Sequence, residues 1–202
     1  MILKLQKKSE KDYKIWIYLD SELWGILPAR ILHSRFQIPC EIEISDDSAS
    51  EITSLLTESA RQRILEYLAK FERSTHQCRD ILQRHRYHHR IISSVIDEVT
   101  SLGYLDDTRF TEILVRSLAD RGKSRRYIIN KLYLQSIPSA IYDPFLAEFL
   151  NPTDLKENLK SEVSRLKSRY RDLPTHKQRE KIVSSLYRKG FELDDILSSL
   201  GD

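Results

Sequence analysis

A mainly α-helical protein, with three tandem three-helix repeats preceded by a small antiparallel β-rich N-terminal domain, is expected from three features of this 202-residue chain. The first is a recurring frame: a leucine, then four positions on a polar or small residue, then a large apolar one. It occurs as Leu82/Arg86/Tyr87, Leu132/Ser136/Ile137 and Leu186/Gly190/Phe191, and four positions before each leucine stands Cys78, Ile128 or Ile182. One helical unit repeated at about 50 residues explains that register. The second feature is composition: five glycines, six prolines and 31% charged residues favour long helices, because strand-rich folds need frequent turn residues. The third is a change at Ser48 from alternating apolar residues to apolar residues at three- and four-residue steps. The expected boundaries are 1–46 for the β-rich domain and 47–102, 103–150 and 151–202 for the repeats.

In the first domain, Tyr13, Ile15, Ile17 and Leu19 alternate with Lys14, Trp16, Tyr18 and Asp20, and Ile38, Cys40, Ile42 and Ile44 alternate with Pro39, Glu41 and Glu43. Period-two patterning of this kind predicts strands of a small antiparallel sheet. Between them Pro28 suits the first position of a short helix over residues 29–33, where its missing N–H costs nothing.

The first repeat is expected to open with Ser48 and Glu51 as a capping box, followed by Ile52, Leu55, Leu56, Ala60, Ile64, Leu68 and Phe71 on one face of a long helix with a break near Thr57. A second helix spans about residues 74–84, and a third carries Ile92, Val95, Ile96, Val99 and Leu102 and stops at Gly103. In the second repeat, Asp106 is placed as N-cap, with Leu105 before it and Phe110 at the fourth helical position as a hydrophobic staple, and Asp107 beside the helix dipole. Helices over about 107–120 and 125–134 are separated by Gly122, and Pro138 begins the next. The third repeat reuses the staple with Leu150, Asn151 as cap, Pro152 and Leu155; its helices are expected over about 153–171, from Pro174 to about 188, and over 192–200.

Arrays of this kind are usually binding surfaces, and no phosphate loop, nucleophile elbow or zinc-protease run is present, so an enzyme is not expected. His76, Cys78, His85, His88 and His89 crowd one stretch without any compact metal-ligand spacing; Cys78 holds the position of Ile128 and Ile182 and reads as core, and the histidines as a polar surface that gains charge below pH ~6.5. No catalytic residue, cofactor or metal is expected. Cys40 and Cys78 do not suggest a disulfide framework, and with no apolar leader or bilayer-length apolar run a cytoplasmic location follows.

The net charge of +3 is mild, but basic residues cluster around the second helix of each repeat. Arg73, Arg79, Arg84, Arg86 and Arg90 face only Asp80; Arg116, Arg121, Lys123, Arg125, Arg126 and Lys131 face only Asp120; a third group, from Arg165 to Lys181, is set against Asp172 and Glu180. In register these form a basic stripe suited to phosphates or to an acidic protein groove, with salt-sensitive binding. An ordinary solvated helix face is the alternative.

The stretch Gly103-Tyr104-Leu105-Asp106-Asp107-Thr108-Arg109-Phe110, with Arg116, Arg121-Gly122-Lys123, Ile129, Leu132 and Ile137 after it, resembles the signature of the RecX family of recombinase regulators. Leu186-Tyr187-Arg188-Lys189-Gly190-Phe191 resembles that family's repeat ending, and the span from about residue 50 onward follows its three tandem three-helix units. The family tends to have glycine at Arg86 and Ser136 and alanine at Thr111, so the two turns should form differently or carry a strain of roughly 1 kcal/mol. The resemblance implies a cytoplasmic protein that binds the RecA recombinase and its filament on single-stranded DNA and usually inhibits ATP hydrolysis and strand exchange. A monomer is expected, with the basic residues of repeats one and two facing the partner and Leu105, Asp106, Asp107 and Phe110 holding the modules. Direct contact with single-stranded or duplex DNA stays open. So do two other classes: a sequence-independent DNA-binding protein needing no recombinase, and a helical scaffold for an unrelated protein.

Overall fold

Strands β1 (Ile2–Gln6), β2 (Lys14–Leu19), β3 (Glu22–Pro28) and β4 (Cys40–Glu43) form one antiparallel sheet in the order β3-β2-β1-β4 in the computed structural model, which describes residues 1–9, 12–33 and 36–201. Leu3 and Leu5 on β1 pair with Leu19 and Ile17 on β2, and all four point into the core with Ile15 and Leu27. β2 matches its expected alternation, whereas Tyr13 lies outside it and is exposed. β1 and β3 were not legible: β1 is short, and β3 is a continuous apolar run interrupted by Gly25, with no period-two signal. β3 closes on β2 through a tight turn instead. Asp20 and Ser21 adopt φ of 46° and 68° between the paired Leu19 and Glu22, a two-residue hairpin without the usual glycine. Gly25 marks where the sheet meets a helix, since a Cβ there would stand 2.6 Å from Leu56 Cδ2.

Pro28 ends β3 and caps the short helix α1 (Ala29–Leu32), one position earlier than expected. The long helix α2 (Asp46–Leu68) is capped by Ser45, whose hydroxyl accepts the Ser48 N–H at 3.3 Å, so the Ser48/Glu51 capping box is corrected by three positions. Ser45 wins because Asp46 and Asp47 then fall in the first turn, where the dipole favours them. α2 runs unbroken through Thr57, which folds its hydroxyl back onto the Thr53 carbonyl at 2.8 Å. Phe71 and Leu102, placed in apolar stripes by spacing, are 68% and 60% exposed because each lies beyond its helix end. Ser74 and Gln77 form a complete capping box at α3 (Thr75–Arg84), and α4 (His89–Ser101) buries Ile91, Ile92, Val95, Ile96 and Val99. The remaining helices are α5 (Asp107–Asp120), α6 (Arg125–Tyr133), α7 (Ser139–Phe149), α8 (Pro152–Arg169), α9 (Thr175–Arg188) and α10 (Leu193–Leu200), close to the expected spans. The protein is therefore mainly helical with a small N-terminal antiparallel sheet.

Two compact units divide at Asp106/Asp107. In the first, the sheet and α1–α4 share one core, from Leu3 to Leu105. In the second, α5–α7 enclose Phe110, Val115, Leu118, Ile128, Leu132, Ile137, Leu146 and Leu150, while α8–α10 enclose Leu159, Val163, Leu166, Ile182, Leu186, Phe191 and Ile196.

The recurring sequence frame is a helix C-cap. Tyr87, Ile137 and Phe191 donate their N–H to the carbonyls of Leu82, Leu132 and Leu186 at 3.2, 3.1 and 3.2 Å. One residue earlier, Arg86, Ser136 and Gly190 sit at φ of 65°, 58° and 86° and donate to Gln83, Tyr133 and Tyr187 at 2.9 Å each. These paired bonds are the Schellman motif, with a buried leucine and a buried apolar residue closing it. The turns at Arg86 and Ser136 thus keep the geometry that glycine takes at Gly190 and bear the left-handed strain. Replacing Ser136 by glycine is expected to stabilise the second unit by about 1 kcal/mol, read as a raised unfolding midpoint; a lowered midpoint would refute the strain.

Candidate partner-binding surface

The candidate basic residues separate by what their side chains touch. In the first unit, Arg79 is half-buried on α3, Arg84 is exposed and paired along the helix with Asp80, Arg86 is exposed at the left-handed turn, and Arg90 is exposed at the start of α4. His85 beside them is held below its ordinary pKa by burial and by the charges of Arg63 and Lys14, so it joins this positive surface only at lower pH than an ordinary histidine.

In the second unit the sorting is sharper. Lys123, just before the cap of α6, and Lys131, on α6, both lie near the Tyr127 ring, with Nζ 5.4 and 5.5 Å from its centroid, so one aromatic holds two lysines. Arg116 pairs with Glu112 at 3.1 Å and lies 4.7 Å over the Phe149 ring, and Arg121 is exposed after α5. Arg126 lies 5.0 Å over the Tyr187 ring, and its hydrogen bond to Tyr187 raises its pKa. Arg126 therefore joins α6 to α9, a structural duty that the sequence did not announce. Arg125, its neighbour, is exposed and lines a groove.

Of the expected staple, Leu105 is buried in the core of the first unit and Phe110 in that of the second, with Asp106 just before α5 and Asp107 its first residue. Thr111, where alanine was noted, is fully buried and donates its hydroxyl to the Asp107 carbonyl at 2.6 Å, which removes the cost of burying it. The second staple is present: Asn151 accepts the Thr153 N–H at 2.9 Å, Pro152 takes the first helical position, and Leu150 and Leu155 pack in the same core.

The feature that spacing could not reveal is a groove of about 480 Å³ where the starts of α6, α8 and α10 meet. Its floor is Ile129, Leu155, Leu159 and Phe191; Arg125, Arg126 and Lys156 lie on its rim, as do Glu192 and Asp195. The walls are locked together. Ser124 accepts the Tyr127 N–H at 3.2 Å and donates to the Lys189 carbonyl at 2.9 Å, and Gly190 packs so closely that a Cβ would meet Ser124 Oγ at 2.7 Å. Lys189 Nζ also reaches Glu162 on α8 at 2.6 Å, with Arg165 at 2.8 Å. Burial pushes the Glu162 carboxyl up, but the hydrogen bonds from Lys189 and Arg165 outweigh it and leave the pKa below its ordinary 4.5. A depressed folded pKa contributes stability that is present above the unfolded value and is lost as pH falls through the folded one. Between about pH 6 and about pH 3 the wild-type unfolding midpoint should therefore fall further than that of Glu162→Gln; parallel curves would refute this tie.

In the first unit, Glu22, His88 and His89 bring potential ligand atoms within 4.8 Å of one another, a grouping outside the sequence reading because Glu22 comes from β3. His88 is buried and stacked 4.5 Å from Trp24. Its Nδ1 accepts the Arg90 N–H at 3.3 Å, which puts the hydrogen of the neutral ring on Nε2, 2.9 Å from Glu22 Oε1 though poorly aligned for a hydrogen bond. A nitrogen that carries hydrogen has no lone pair for a metal, so this geometry fits a helix cap tied to the sheet. Contact with His88 holds the Glu22 carboxyl below its ordinary pKa. His76 and His85 lie on the exposed side of this region and Cys78 is core.

No family model matches this sequence. The chain is 28% identical over 196 residues to the regulatory protein RecX of Streptococcus gordonii, an alignment covering 94% of this chain and 72% of that protein. The chain is similar to the RecX regulatory proteins. RecX of Streptococcus sanguinis is 27% identical, over 94% of this chain and 72% of its own, and RecX of Streptococcus pyogenes serotype M3 is 26% identical, over 96% and 73%. A crystal structure of regulatory protein RecX superposes with a TM-score of 0.67 at 20% identity, covering 99% of this chain and all of that one, and RecX from Lactobacillus salivarius with 0.60 at 23%, covering 73% and 96%. These two structures establish the RecX likeness of the fold. No helix among the described residues is long and apolar enough to cross a membrane.

Proposed function

We propose that this chain is a monomeric cytoplasmic regulator of a RecA recombinase that binds the RecA filament on single-stranded DNA and lowers its ATP hydrolysis and strand exchange. The observation that carries the proposal is likeness to regulatory RecX proteins along nearly the whole chain, in sequence and in fold. In this reading the helices act as three tandem three-helix units, residues 47–102, 103–150 and 151–202, behind the sheet domain of residues 1–46. Each contributes modest contacts along the filament groove, which act together. Arg79, Arg84, Arg86 and Arg90 of the first unit and Arg116, Arg121, Lys123, Arg125 and Lys131 of the second face acidic groups of the filament. Arg126 serves there less directly, since Tyr187 occupies it.

The test is the ATPase rate of RecA on single-stranded DNA with substoichiometric amounts of this protein, run beside a salt series of its binding to DNA alone. Inhibition at low stoichiometry is expected, and Arg125→Glu should weaken it at least tenfold without lowering the unfolding midpoint. Tight DNA binding with no effect on hydrolysis would instead make this a sequence-independent DNA-binding protein, and neither effect would make it a scaffold for another protein.

A further inference from the structure

We infer that the groove at the starts of α6, α8 and α10 receives a segment of a protein partner in which one large apolar side chain is flanked by an acidic residue on one side and a basic residue on the other. As the filament-facing pocket this rests on the reading proposed above, with the groove itself testable apart from it. The floor of Ile129, Leu155, Leu159 and Phe191 offers only apolar atoms to an occupant and is held in shape by the Ser124–Lys189 bond and the close seat of Gly190. Preformed apolar concavities of this size bury an anchor side chain at little ordering cost.

The rim says what surrounds that anchor. Arg125 and Lys156 are exposed, and they stand with the amino end of α6, whose first turn carries no acidic residue to answer the helix dipole. A carboxylate placed there meets two cations and the positive end of a helix. Glu192 and Asp195 are exposed on α10's side of the groove and match a partner cation. The same two carboxylates argue against nucleic acid as occupant, since a phosphate backbone entering the groove would be repelled by them and would leave the apolar floor unused. Charge complementarity of this kind also steers encounter and fixes the direction in which the segment lies.

Two measurements on the full chain test this. Amide resonances of the labelled protein are followed on addition of acetyl-Asp-Phe-Lys-amide, with acetyl-Asp-Ser-Lys-amide and acetyl-Lys-Phe-Lys-amide as controls. Saturable shifts confined to the groove, at least tenfold weaker with either control, are expected; no groove shifts, or equal shifts with all three, overturn the inference. Beside it, Lys156→Glu and Asp195→Lys, both at exposed positions, are each expected to weaken binding to RecA filaments on single-stranded DNA at least tenfold, with an unchanged unfolding midpoint for Lys156→Glu and a slightly lowered one for Asp195→Lys, since Asp195 stands in the first turn of α10. Tighter binding by Asp195→Lys would identify phosphate as the occupant and overturn the inference, as would filament binding that neither substitution alters. If the wild type shows the groove shifts but does not bind filaments, the recombinase reading falls and the groove stands.

Discussion

Phe110→Ala is expected to destabilise the second unit by about 3 to 5 kcal/mol, measured as the loss in denaturant-unfolding free energy. The ring is 8% exposed and packs with Val115, Leu118, Ile128, Leu132, Ile137, Leu146 and Leu150, so truncation leaves a cavity whose walls belong to three helices. Partial collapse sets where in that range the value falls. Ile113→Ala on the same helix is the control, because Ile113 is 51% exposed and its truncation should cost within about 0.5 kcal/mol. Equal effects at the two positions would show that α5 does not use Phe110 as its anchor.

Gly190→Ala should cost roughly 2 to 4 kcal/mol, from two separable causes. A side chain at φ of 86° bears a left-handed strain of about 1 to 2 kcal/mol. The new Cβ would also stand 2.7 Å from Ser124 Oγ and 3.0 Å from the backbone nitrogen of Tyr127, an overpacking that adds about 1 to 2 kcal/mol more. Gly103→Ala isolates the first cause, since Gly103 has φ of 75° with no atom within 4 Å of the added Cβ. If both substitutions lower stability equally, the seat of the α9 turn on the start of α6 contributes nothing. A larger loss at Gly190 makes that contact a determinant of the groove's shape as well as of stability.

The helices were legible because their signals are local. The Asn151 cap before Pro152 and the leucine of each Schellman turn act through hydrogen bonds spanning a few residues, and such bonds leave a spacing in the sequence. Even the turns at Arg86 and Ser136 were marked by their place in the frame, although the residues there are poor choices for a left-handed conformation. Local signals misled where two were in competition, since Ser48 offered a plausible capping box but Ser45 three positions earlier sets two aspartates at the dipole, and where apolar spacing ran past a helix end, as at Phe71 and Leu102. β1 and β3 had weak local signals, since a strand's partners are distant in sequence and β1 must pair with both β2 and β4 to bury Leu3 and Leu5.

The candidate surface divides along the same line. Basic residues gathered around each second helix could be counted in the sequence, but counting cannot separate Arg125, exposed at a groove, from Arg126, stacked on Tyr187 of another helix. The groove itself draws on residues 124–129, 152–159 and 190–195, and Glu22 meets His88 across 66 positions of chain. The helical register, the caps and the RecX likeness were written along the chain, because each depends on residues a few positions apart or on an ordered string of them. Which charges are engaged within the fold and which stand exposed was settled by packing, because a side chain's neighbours are brought together only when the chain folds.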